Sequence, residues 1–317
     1  MNHNGNPTSD NALRWAVIMG SWDVTDGELV YKGANERYQS HGQLFPMGLV
    51  VSSRTMQHGR CCVDVKFAPS EKSGHFAGGL VIGYRAPERY YAQVQFGAGP
   101  AAYTVSESVP GFGWKPLYSV GPQSLLHPNR PYTLEAEIRG QEIRVKVDTV
   151  QVLETLLSRP LEGKQTGLIA AGEGRVHFSR FEVVSDKPRI FVAMEYREPF
   201  DTFYHKVIKP QAESRFDVVR IDEKVGPGVI FQDMQREIAQ ADVVIAEITP
   251  ANPNVFYELG YAHALGKPTV LLAQRGGKLP FDISSFRVVF YDDSIGGKSQ
   301  VEEDLSKHLD AILQSVG

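Results

Sequence analysis

Cysteine is nearly absent. Cys61 and Cys62 are the two in 317 residues, and as neighbours they are poorly placed to bridge each other or to staple distant parts of the chain. A reducing compartment is the expectation that follows. An excess of charge is lacking too: with 22% charged residues and a formal net charge of -4, there is no basic footprint for nucleic acid or for an anionic membrane. No apolar run approaches the ~20 residues of a membrane-spanning helix. Met1 to Asn11 is polar and has neither the basic nor the apolar region of a signal peptide. A soluble cytoplasmic protein with a disordered leader over residues 1–13 is expected, with neither nucleic acid nor membrane as a partner.

Metal and phosphate signatures are missing as well. His and Cys show no zinc spacing, no acidic cluster suggests calcium, and no Gly-x-Gly-x-x-Gly follows a strand. Gly296-Gly-Lys-Ser299 has Asp292 where a P-loop needs its first glycine. No cofactor is expected.

What is present falls into two halves, as the length allows. From Trp15 to Val184 the pattern has period two. Cys62–Phe67, Gly79–Tyr84, Tyr91–Phe96, Tyr132–Ile138, Glu142–Val147 and Val176–Val183 read as strands between Gly, Pro, Asn and Ser clusters. Residues 14–185 are therefore expected to form an all-β sandwich, a jelly roll. Tyr90, Tyr91, Trp114 and Tyr118 either fill its core or stand exposed for a ligand.

At Asp186 the period changes. Residues 187–317 alternate apolar strands (Arg189–Met194, Phe216–Asp222, Asp242–Ile248, Thr269–Ala273, Arg287–Tyr291) with helical spacing, giving an α/β domain with a five-stranded parallel sheet. Pro210 should stop or kink the first helix. Ile230, Met234 and Ile238 mark one face of the second, and Ser299-Gln-Val-Glu302 reads as the capping box of the last, whose stripe is Val301, Leu305, Leu309 and Ile312.

Ligands of such sheets sit outside the carboxyl ends of the strands. The stretch Asp242 to Pro268 places one acid there. A buried strand leads through Asn252-Pro253-Asn254 into a helix stopped by Gly266 and Pro268, and Glu258 lies in its second turn. Side chains tilt toward the helix N-terminus, so the Glu258 carboxylate leans back toward the crevice, and the helix N-terminus favours its charged form. A carboxylate there stabilises an oxocarbenium-like sugar, or traps it covalently. Gly260, about 1 kcal/mol unfavourable against alanine inside a helix, suggests close packing of a ligand or backbone. His263, about 140° around the helix from Glu258, reads as a packing residue. Met194, Glu195 and Asp222 lie at strand ends on the same edge, and Asp222 is either a ribose contact or a cap. Asn252 reads as the helix cap, with Pro253 at the first position.

The segment Asn252-Pro-Asn-Val-Phe-Tyr-Glu-Leu-Gly-Tyr-Ala-His-Ala-Leu-Gly-Lys-Pro268, preceded by Ala241-Asp-Val-Val-Ile-Ala-Glu247, resembles the group joining TIR-like nucleotide-cleaving domains with nucleoside 2-deoxyribosyltransferases. The resemblance implies a flavodoxin/TIR-like fold, Glu258 as catalytic acid, and Met194, Glu195, Asp222, Asp233, Asn252 and Tyr257 as substrate-binding residues. Asn252 stands where the transferases carry an acid. The implied activity is cleavage of an N-glycosidic bond, with NAD as substrate rather than cofactor, regulated by the sandwich in a bacterial antiviral setting and accompanied by self-association. A nucleoside deoxyribosyltransferase or hydrolase, or a nucleotide-sensing scaffold without catalysis, are its rivals.

In the first half, Trp22-Asp-Val-Thr-Asp-Gly-Glu-Leu29, Gly79-Leu-Val-Ile-Gly-Tyr-Arg85 and the hairpin at Arg139-Gly140 resemble the laminin-G-like, concanavalin-type jelly roll. That implies a glycan or protein ligand for the sandwich.

Overall fold

The computed structural model describes residues 13–25, 27–33, 37–40, 43–69, 76–87, 89–223, 230–249, 251–277, 283 and 286–315. The expected leader lies almost wholly outside them. Two domains follow one another: the last strand of the first ends at Ser185 and the first strand of the second begins at Arg189. No helix among the described residues is long and apolar enough to cross a membrane.

The first domain is a sandwich of an eight-stranded and a seven-stranded antiparallel sheet. The inward residues of both sheets, among them Val63, Val65, Phe67, Leu80, Ile82, Val94, Phe96, Leu134, Ala136 and Phe178, form one continuous core. Period-two alternation is visible in Gly59–Phe67 and Pro131–Arg139, where alternate residues are buried. Tyr91–Phe96 is buried on both faces, because Tyr91 joins a second apolar cluster with Met47, Leu49, Val81 and Ile169 on the outer side of its sheet. Tyr90 is buried too, and its hydroxyl donates to Glu107 while Arg159 stacks on its ring at 4.2 Å. Of the four aromatics weighed as ligand contacts, only Tyr118, 51% exposed, stands clearly free of the protein interior; Trp114 is half-buried.

In the second domain the strands are Arg189–Ala193, Asp217–Val219, Val243–Glu247, Thr269–Gln274 and Val288–Tyr291, all parallel, in the spatial order second, first, third, fourth, fifth. Alternate residues of each strand enter two separate cores. Ile190, Val192, Val243, Ile245, Val270 and Leu272 pack on the first and last helices, with Val301, Leu305 and Leu309 of the expected stripe. Phe191, Ala193, Val244, Ala246, Leu271 and Ala273 pack on the second and third. Covering both faces with helices is what makes the strands apolar throughout.

Three local expectations are corrected. The segment 216–222 forms a strand only over Asp217–Val219 and turns into a short 3-10 helix at Ile221–Glu223. Pro210 does not end the first helical segment: Phe200–Phe203 passes through a π turn, Tyr204–Ile208, into Lys209–Ala212, and the altered hydrogen-bond spacing accommodates a residue without an N–H. The last helix begins at Ile295, ahead of the presumed box, and the Ser294 hydroxyl caps it by accepting the Gly297 N–H at 3.0 Å.

The domains meet at the amino ends of the sheet's strands. The sandwich hairpin at Gly140 abuts the end of the second helix, Ile230–Gln240, where the Gln141 N–H donates to the Ala239 carbonyl at 2.9 Å. The Gln240 amide donates to both oxygens of Glu142 at 3.1 Å. The buried Lys267 ammonium donates to the carbonyls of Ala239 and Ala241 at 2.7 and 2.8 Å, satisfying groups that a helix end leaves free. His58 lies 3.1 Å from Asp242. Burial, then the charge of Lys267, pushes His58 down to about 3, so it is neutral near physiological pH.

Candidate active site

At the opposite edge, outside the carboxyl ends of the strands, lies a cavity of about 660 Å³ lined by Tyr196, Ile221, Phe231, Met234, Pro253, Asn254, Tyr257 and Glu258. Its volume falls in the range of about 300–1,000 Å³ usual for small-molecule sites. Four elements build it: the turn after the first strand brings Tyr196, the 3-10 helix Ile221–Glu223 brings Ile221, the second helix brings Phe231 and Met234, and the start of the third helix brings Pro253, Asn254, Tyr257 and Glu258.

The third helix, Pro253–Ala264, is capped as its sequence dictates. Asn252 has extended backbone, its side-chain oxygen accepts the Asn254 N–H at 2.9 Å, and Pro253 follows at the first position. Gly266 closes the other end with φ +67, the left-handed conformation that glycine supplies freely.

Glu258 is 7% exposed and lines the cavity, and its Oε2 has no hydrogen-bond partner. Burial pushes its pKa up to about 7. Here the sequence expectation is reversed: the helix N-terminus was to favour the charged form, but its influence fades within the first turn, and desolvation prevails at the sixth residue. A buried carboxyl without a partner is costly to folding, and proteins retain such groups where chemistry uses them.

Tyr257 lines the rim half exposed, its ring 5.6 Å from that of Phe231. Tyr196, 42% exposed, carries the Arg220 guanidinium at 5.4 Å from its ring centroid. Arg220 is itself buried, held bidentately by Asp222 at 2.6 and 2.7 Å and by Asp201 at 2.7 Å, and stacked on Tyr204 at 4.1 Å.

Of the residues expected to bind substrate, Tyr257 reaches the cavity directly. Met194 is corrected: it is buried in the core under the first and last helices, on the other face of the sheet from the helices that wall the cavity. Asp222 does not line the cavity; its carboxylate is occupied by Arg220. Glu195 is outside the lining and pairs with Arg197 at 3.0 Å. Asp233 is half-buried and outside the lining, where Met234, the next residue, stands instead. Asn252 is the cap, and its neighbours Pro253 and Asn254 form the wall. His263 packs as expected, stacked on Phe286 at 4.6 Å. Gly260 is exposed, and a methyl there would meet nothing within 4 Å, so neither ligand nor backbone explains it.

Ile221, Phe231 and Met234 were not anticipated in the site. Met234 looked like a core residue because it is also one, packing under the second helix while its flank faces the cavity.

Residues 193–305 match the family model of nucleoside 2-deoxyribosyltransferase. The α/β domain is nucleoside 2-deoxyribosyltransferase-like. No curated protein matches the chain. Solved structures similar to the sandwich include the carbohydrate binding module CBM66 from Bacillus subtilis, at 15% identity over 53% of this chain and 92% of that one, with a TM-score of 0.43. The laminarinase catalytic domain from Thermotoga maritima aligns at 10% identity over 54% and 92%, TM-score 0.36. Galectin LEC-6 from Caenorhabditis elegans aligns at 18% over 40% and 85%, TM-score 0.28. The match of the deoxyribosyltransferase-like domain begins at the last residue of the first strand and takes in Tyr196, Ile221, the second helix and the Glu258 helix, which together build the cavity.

Proposed function

We propose that the deoxyribosyltransferase-like domain breaks the N-glycosidic bond of a nucleoside or nucleotide, with Glu258 as the carboxylate that meets the developing charge at C1′. The observation that carries this is one buried carboxyl, without a partner on Oε2, in the wall of a cavity of about 660 Å³. The ionised form either bonds to C1′ or stabilises the oxocarbenium-like state, and the apolar surroundings strengthen that attraction. Ile221, Phe231, Met234 and Tyr257 offer apolar and aromatic surface for the base.

The described lining contains no Lys or Arg to meet a pyrophosphate, so the favoured unit of recognition is base plus sugar. NAD hydrolysis, with its antiviral setting, is the narrower form of the proposal. It is supported by the fact that cationic nicotinamide departs without needing a proton, so the cavity need supply only the carboxylate. The sandwich acts as the regulatory module, docked through Gln141 and Glu142.

The test is product analysis of wild type and Glu258→Gln with a panel of deoxynucleosides, deoxynucleoside plus free base, and NAD. Release of base or nicotinamide is expected, lost in Glu258→Gln; undiminished turnover in that variant removes the assignment. An exchanged nucleoside identifies a transferase, and repeating the assay over a protein-concentration series reads out self-association.

A further inference from the structure

Expelling a neutral base from a sugar takes two groups, one for the positive charge at C1′ and one to protonate the departing nitrogen, since a base anion is a poor leaving group. Among the described residues of the cavity wall Glu258 is the sole carboxyl, so the paired acids of glycoside hydrolysis are not available there. An amide such as that of Asn254 is no acid. Tyr196 remains. It lies in the same cavity as Glu258, on a different element, in the turn directly after the first strand. Behind its ring sits a buried cation, Arg220, fixed by Asp201, Asp222 and Tyr204.

We propose that Tyr196 is the acid that protonates the leaving base when that base is neutral. The proposal rests on the role given to Glu258 above. As the C1′–N bond breaks, its electron pair passes to the base nitrogen, which takes the Tyr196 hydroxyl proton, while a Glu258 oxygen bonds to C1′. Water, or the N–H of an incoming base, then attacks C1′, the bond to Glu258 breaks, and the proton released returns to the phenolate.

Electrostatics follow the same sequence. Burial, then the charges of Glu258 and Asp222, holds the Tyr196 phenol above its usual range, so it is a proton donor at rest, and Arg220 pulls the other way. As Glu258 becomes an ester, the larger of the two charges opposing ionisation is spent, and Arg220 favours the phenolate against Asp222 alone.

The leaving group supplies the test. Wild type, Tyr196→Phe and Glu258→Gln are compared on a purine 2′-deoxynucleoside and on nicotinamide riboside, whose cationic base leaves neutral without a proton. Phenylalanine keeps the ring beneath Arg220. On the purine nucleoside Tyr196→Phe should lower kcat by about 10²–10⁴-fold, the usual contribution of general acid catalysis. On nicotinamide riboside the loss should be at least about tenfold smaller, whereas Glu258→Gln abolishes both. Equal losses on the two substrates, or turnover of nicotinamide riboside alone by the wild type, overturn the proposal and leave Glu258 in place. Full activity of Glu258→Gln, or no turnover of either substrate by the wild type, overturns both. Should Tyr196→Phe fail to fold, replacement of Tyr196 by 3-fluorotyrosine serves instead: a shifted pH profile for the purine substrate alone supports the proposal, and equal profiles sink it.

Discussion

Asn252 and Asn254 are joined through one residue, the side-chain oxygen of the first accepting the backbone N–H of the second at 2.9 Å with Pro253 between them. This bond sets where the helix begins, and the start of the helix sets the direction in which Glu258 leaves it. Asn252→Ala should therefore destabilise the protein by about 1 kcal/mol, the usual worth of an N-cap. Asn252→Asp should stay within about 0.5 kcal/mol of wild type, since aspartate caps equally well. Chemical denaturation of the three proteins checks this; a drop in Asn252→Asp as large as in Asn252→Ala would mean that the position does more than cap.

Glu258 should weigh on stability in a pH-dependent way. Its folded-state pKa, about 7, lies above that of an unfolded glutamate, so the folded protein holds the proton more tightly. The stabilising contribution is fully present near pH 4 and is lost as pH rises through about 7. Glu258→Gln should accordingly be more stable than wild type at pH 8, by on the order of 1–3 kcal/mol, and close to it at pH 4. Thermal unfolding at the two pH values decides it, and an equal difference at both would contradict the burial of the carboxyl.

The same titration should appear in catalysis. If the ionised carboxylate acts at C1′, kcat/KM rises with pH through about 7 and levels above it. A rate that falls over that interval would assign the working form to the protonated acid.

Gly260 has open space where a methyl would go, in the middle of a helix. Gly260→Ala should stabilise by about 0.5–1 kcal/mol, from helix propensity alone. Loss of activity without loss of stability in this variant would show that the face is used by something else.

Gly140 is the reverse case. It has φ +58, and a Cβ there would fall 2.4 Å from the Ala239 carbonyl oxygen and 2.6 Å from Gln240 backbone atoms. Gly140→Ala should destabilise by more than about 1 kcal/mol and loosen the junction. Limited proteolysis near Asp186 measures this; an unchanged cleavage rate would argue that the hairpin tip does not hold the domains together.

The two folds were legible because each writes its period plainly: alternation in Gly59–Phe67 and Pro131–Arg139, continuous apolar strands in Arg189–Ala193 and Val243–Glu247. Glu258 was legible because a strand, a cap and a helix in series fix both its depth and its direction. Met194 was not, because a strand's last side chain can fall on either face, and a shift of one residue exchanges them. Asp222 was misread since an acid at a strand end looks the same whether it awaits a ribose or already holds an arginine. The apolar wall of Ile221, Phe231 and Met234 was hidden for a simpler reason: a hydrophobic residue that faces a cavity carries no mark to distinguish it from one that faces the core.

The helix Ile230–Gln240 belongs to both ends of the molecule. Phe231 and Met234 stand in the cavity wall, while Ala239 and Gln240 are gripped by the sandwich, about 8–14 Å away along a single rigid rod. If the sandwich regulates the cavity as proposed, tilting this rod is the route, and by reciprocity a molecule seated beside Glu258 would change how firmly the sandwich is gripped. The regulatory role proposed for the sandwich thereby has a physical route to the cavity, with eleven residues of backbone as the linkage.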